Sequence, residues 1–156
     1  MRTGMFWVSS SSRLPDAAGW MARLALGVIF LRMGLQKAQH PDEFLKLLHA
    51  YGVLERFLPL AWIAALLPWF EATCGVLLLL GWRVRGTLPL VAAMLGVFSL
   101  LILQRALELS GATGMPLCAI RFDCGCGNGE VAVCRKLLEN GLLLVVCGVG
   151  FLGRSR

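Results

Sequence analysis

Four cysteines within 17 residues are the part of this chain best suited to chemistry: Cys118, Cys124, Cys126 and Cys134. The central run, Cys124-Gly-Cys126, would close a very small ring if oxidised. Such a bridge is strained unless the backbone turns sharply, which the glycine between them allows. A strained bridge is easily reduced and suits a shuttle better than a staple. Arg121, Arg135 and Lys136 lie close enough in sequence to stabilise a thiolate, the reactive form of the group. Cys118 or Cys134 could then act as a resolving thiol. The competing reading is a pair of structural disulfides, for example Cys118 with Cys126 and Cys124 with Cys134; four cysteines allow three complete pairings, and sequence does not choose among them. Zinc ligation fits poorly, because its ligand pairs usually stand two to four residues apart and no histidine lies in this loop. No metal is expected. His40 and His49 read as solvated loop residues, and Cys74 and Cys147 as small buried packing groups.

Composition decides what must hold these cysteines. Of 156 residues, 58% are apolar and only 15% charged, against about 25% charged in an average soluble domain. A small soluble fold has too little interior for that much apolar surface. The net charge of +6 rests on residues spread between apolar runs, with no basic stripe interleaved with aromatics, so nucleic acid is not an expected partner. The partner is a lipid bilayer. Four apolar segments, about 18–38, 59–81, 87–109 and 131–152, are each long enough to cross it as a helix. The expected fold is therefore all-α, an integral membrane four-helix bundle. Residues 1–17 form a polar lead, 110–130 the cysteine-bearing loop, and 153–156 a short tail. The lead has no sustained apolar stretch or small-residue cleavage site, so the first span reads as a retained anchor.

The short loops set the orientation. One side carries Arg2, Arg13, Arg83, Arg85, Arg154 and Arg156; the other carries Lys46, Arg56 and Arg121, offset by five carboxylates. The positive-inside rule then puts both termini in the cytoplasm of a bacterial inner membrane, with the cysteine loop on the oxidising side.

Ionisable groups inside spans are costly and are functional candidates by default. Arg32, Lys37, Glu71, Arg105, Glu108, Arg135, Lys136 and Glu139 all fall in spans, and the topology gathers nearly all of them in the outer leaflet, beneath the cysteines. Arg135 with Glu139, and Gln104 with Glu108, are spaced to pair along one helix. Glu71 has no partner in its own helix and is expected to meet Arg32 or Lys37. The positive surplus makes Arg32, Lys37, Glu71, Arg105 and Arg135 candidates for holding an anion or a quinone headgroup. The plainer reading is that these groups glue the bundle together.

The run from Arg23 to Lys37, with Gly27, Phe30 and Gly34, resembles the first-helix pattern of the DoxX family. The run from Glu71 to Gly81, with Gly75 and Leu78, looks like its second. Cys124-Gly-Cys126-Gly127, followed by a last helix with Arg135 and Asn140, is similar to the methylamine-utilisation protein E (MauE) branch. That branch usually carries Phe between the second cysteine and the next glycine, whereas Gly127 follows directly here. The resemblance implies a four-helix membrane protein associated with redox proteins: a thiosulfate:quinone oxidoreductase for DoxX, and a thioredoxin-like partner in the maturation of a disulfide-rich periplasmic dehydrogenase for MauE. Together these point to a membrane thiol–disulfide component, with quinone coupling as the family-implied extension. The alternative is a noncatalytic subunit or assembly factor of a larger membrane redox complex. A small-solute transporter fits less well, because the paired broken helices of that class are not evident.

Overall fold

The computed structural model describes residues 13–51, 59–123 and 130–152, with side chains from Ala17 onward. The chain is mostly helical. The helices are α1 (Arg13–Gln39), α2 (Pro41–Tyr51), α3 (Leu60–Leu80), α4 (Val84–Thr113) and α5 (Val133–Leu152). A 3-10 turn at Leu117–Ala119 leads into two short strands, β1 (Arg121–Asp123) and β2 (Glu130–Ala132). The four-helix expectation is corrected: the described residues form five helices and one antiparallel strand pair. The extra helix, α2, lies in the connection between α1 and α3, and the strand pair in the cysteine-bearing connection between α4 and α5.

α1, α3 and α4 are long and apolar enough to cross a membrane. α5 is 20 residues long and carries Arg135, Lys136 and Glu139 close together in its first two turns.

α1 and α3 cross closely and run antiparallel. The reason is glycine: a Cβ added at Gly34 would lie 2.5 Å from the Ala72 nitrogen, and one at Gly75 2.5 Å from the Leu31 nitrogen. Small residues let helix backbones approach this far, which is how helices associate where both partners and solvent are apolar. α5 lies antiparallel to both α1 and α4, with Gly150 beside Ala22 and Leu88. The core of this bundle is Leu26, Phe30, Leu78, Leu88, Val91 and Leu95, with Cys74 and Cys147 among them. Both cysteines are free and buried, as packing residues would be. α3 stops at Gly81, whose φ of 73° lies in the left-handed region. There the Gly81 and Trp82 amides close on the Leu78 and Leu77 carbonyls, and glycine adopts that conformation without a Cβ penalty.

The close approach of Gly34 to Pro68 and Ala72 means that α3 extends well past the end of α1. α2 fills the space this leaves. It starts with Pro41 and acidic Asp42 and Glu43 in its first turn, which suit a helix N-terminus. Phe44, Leu48 and Tyr51 recur at helical spacing on its buried face, and Phe44 and Leu48 pack on Leu60 and Ala64 of α3. Trp20 and Trp82 at one end and Trp62 at the other are exposed, as an interfacial aromatic belt requires.

Candidate functional site at the cysteine-bearing end

The strand pair is built on a third apolar cluster, in which Ile120 and Val133 pack against Ile102 and Ala106 of α4. Phe122 and Val131 face each other across the strands, and the Val133 amide donates to the Ile120 carbonyl at 3.1 Å. Tyr51, at the end of α2, meets Phe122 edge to face, with ring centroids 6.3 Å apart. α2 and the strand pair thus lean on one another over the same end of the bundle.

Cys118 and Cys134, 16 positions apart in sequence, form a disulfide with Cα atoms 5.0 Å apart. It ties the 3-10 turn to the first turn of α5. The pairing set out from sequence, Cys118 with Cys126 and Cys124 with Cys134, is therefore replaced: Ile120 and Val133 bring the two ends of the hairpin together, and Cys118 and Cys134 flank those ends. Cys118 is exposed and Cys134 half-buried. Cys124 and Cys126 lie outside the described residues, in the six-residue connection from β1 to β2.

Beneath the strand pair lies a layer of polar groups. Lys37 of α1 donates to Glu71 of α3, with Nζ to Oε1 at 2.5 Å; the side chains are 6% and 1% exposed. The same ammonium sits over the rings of Phe98, 4.6 Å from its centroid, and Phe44, at 5.3 Å. Cation–π contacts of this kind strengthen when water is excluded. Of Glu71's two oxygens, Oε2 is buried without a hydrogen-bond partner among the described residues. Glu71 lines a cavity of about 20 Å3 together with Lys37, Phe98, Lys136 and Asn140, enough for one water molecule. Asn140 of α5 donates to Ser99 Oγ of α4 at 3.0 Å. Lys136 reaches Glu139 Oε2 at 3.4 Å, and Arg135 reaches Glu139 Oε1 at 3.0 Å.

The sequence-derived set is thus divided. Lys37 and Glu71 form the buried pair, as expected of one of the two proposed partners; Arg32 is exposed on another face of α1. Arg135 pairs with Glu139 as its spacing predicts, with its own side chain 75% exposed. Arg105 takes Glu108 at 3.2 Å, the partner expected for Gln104, because the longer, charged side chain one position on also reaches it. Arg105 and Arg135 make no described contact with the Lys37–Glu71 pair. A quinone ring does not fit the one-water cavity beside that pair. Among the described residues no three metal-ligating side chains converge. Sequence reasoning did not single out Ser99, Phe98 or Phe44; Ser99 inside an apolar run was the one visible signal.

An apolar bundle carrying a buried ion pair, with a disulfide-tied cap over one end, defines a multi-pass membrane protein with a polar layer beneath that cap. The chain belongs to the family of methylamine utilisation protein MauE, whose model matches residues 15–153. The likeness to DoxX rests on the two helix patterns alone. No curated protein and no solved structure matches the chain.

Proposed function

We propose that this MauE-family membrane protein is a thiol–disulfide exchange component of the bacterial inner membrane, with both termini cytoplasmic and Cys124 and Cys126 as its exchanging pair. The observation that carries this reading is the Cys118–Cys134 disulfide. It takes two of the four loop cysteines out of exchange and leaves Cys124 and Cys126 as the remaining pair, in the connection of a hairpin that the disulfide anchors to α5. Membership of the MauE family agrees with a redox-associated role.

The exchange proceeds by thiolate attack. One thiolate of the reduced pair attacks a disulfide on an extracytoplasmic thioredoxin-like partner, forming a mixed disulfide and releasing one partner thiolate. The second cysteine attacks the mixed disulfide, closes Cys124–Cys126 and releases the other partner sulfur. Two electrons pass to the partner, whose two thiolates take up two protons. A second dithiol reverses the sequence and restores the pair. The Lys37–Glu71 pair fastens α1 to α3 at the end of the bundle that carries the strand pair. No step is assigned to a quinone.

The test uses the full-length protein in nanodiscs, incubated with an oxidised or a reduced thioredoxin-like protein and then trapped with a maleimide. Cys124 and Cys126 are expected to follow the partner's redox state while Cys118–Cys134 stays oxidised. Exchange should vanish in Cys124→Ser and in Cys126→Ser, with membrane insertion intact. Retention of exchange in both variants overturns the reading. A second reading, a noncatalytic subunit of a larger membrane redox complex, is favoured by the staple-like placement of Cys118–Cys134; it predicts that none of the four cysteines responds.

A further inference from the structure

Between α1 and α5 runs a groove of about 390 Å3, with Met33 and Leu142 along its apolar part and Arg32, Gln36, Lys136 and Glu139 at its polar end. Charge in this end is unbalanced. Glu139 already serves both Arg135 and Lys136, while Arg32 makes no ion pair with any described residue. Among the residues that line the groove, Arg32 and Lys136 stand against Glu139, which leaves one positive charge in excess.

The surroundings say where an occupant comes from. Val28 and Leu35 on α1, and Leu138, Leu142 and Val145 on α5, are all well exposed, so this side of the bundle faces acyl chains. Arg32 lies seven residues before the end of α1, about 10 Å along the axis. An unpaired guanidinium at that depth is costly unless it meets an anion or headgroup water. A neutral ring would leave the charge unanswered, and a free anion would leave the apolar part of the groove unfilled.

We propose that the α1–α5 groove binds an anionic phospholipid, its phosphate on the Arg32 guanidinium and an acyl chain along Met33 and Leu142. Arg32 matches a phosphate with two parallel N–H donors. Lys136 links this site to the interior, since it lines both the groove and the one-water cavity beside Glu71. The exchange chemistry proposed above does not depend on it.

The test is native mass spectrometry of the full-length protein released from micelles containing equal amounts of phosphatidylglycerol and phosphatidylcholine. Both lipids offer a phosphate to Arg32, but only phosphatidylglycerol brings a net negative charge to this positive end, and we expect it to be retained preferentially by about tenfold. Arg32→Gln should abolish the preference and Arg32→Lys should keep part of it. Leu142→Trp, which fills the groove without changing charge, should also abolish it, whereas Arg121→Gln on β1 should not. Equal retention of the two lipids, or a preference that survives both Arg32→Gln and Leu142→Trp, overturns the proposal. So does displacement of the lipid by inorganic phosphate alone, which would mark a free-anion site, or by a quinone, which would mark a ring site.

Discussion

Lys37 and Glu71, 34 residues apart in sequence, are locked together across the α1–α3 interface with hardly any solvent contact. Removing one member of such a pair strands a charge in an apolar interior, which costs about 3–5 kcal/mol. Lys37→Met and Glu71→Leu should each lower the thermal midpoint of the full-length protein in micelles substantially. The double variant Lys37→Met/Glu71→Leu should recover much of the loss, since it buries no unpaired charge. Strictly additive losses would show that the two side chains act separately.

Peptide mapping of the unreduced protein should yield a fragment pair joined through Cys118 and Cys134. For a closed loop of this length the link is worth about 3 kcal/mol. Cys118→Ser and Cys134→Ser should lower stability by similar amounts, and reduction of the parent should reproduce the drop.

The close crossing of α1 and α3 predicts a sharp contrast among glycines. A methyl group at Gly34 or Gly75 meets backbone atoms at 2.5 Å, whereas one at Gly148 meets nothing within 4 Å. Overpacking of this kind costs about 1–3 kcal/mol. Gly34→Ala and Gly75→Ala should therefore destabilise the protein in a chemical-unfolding series in which Gly148→Ala is neutral.

Phe44 ties α2 to both the α3 surface and the Lys37 ammonium. Phe44→Ala should cost about 3–5 kcal/mol and expose the Lys37–Glu71 pair to water. Hydrogen–deuterium exchange should then quicken in residues 41–51 and 68–74. Unchanged exchange in the second segment would show that α2 does not shield the pair.

The long helices were legible in the sequence because a bilayer demands about 20 apolar residues in a row, and that run is visible without any partner. The Arg135–Glu139 pair was legible for a similarly local reason, helical spacing. Lys37 and Arg32 could not be told apart as partners of Glu71 from sequence alone. They stand five residues apart, about 140° around a helix, so only one can face α3, and which one depends on where Gly34 seats the helix. α2 was missed because 11 residues are too few to span a membrane and its apolar positions lie inside a stretch read as a loop. Three-residue strands carry almost no periodic signal, so β1 and β2 were not foreseen, and without them nothing selected Cys134 for Cys118. The Cys124-Gly-Cys126 run stood out from spacing alone.

The uneven load of charge among the helices bears on how the chain enters its bilayer. α5 follows α1 to α4 in the chain and carries Arg135, Lys136 and Glu139 in its opening turns. Charged residues weaken spontaneous partitioning into lipid, so α5 inserts poorly by itself. Ser99 of α4 and the α1 face bearing Arg32 and Gln36 supply polar company that lipid cannot. α5 would accordingly enter the bilayer by docking, the helices before it forming its berth, after which Cys134 lies beside Cys118 and oxidation fastens it there.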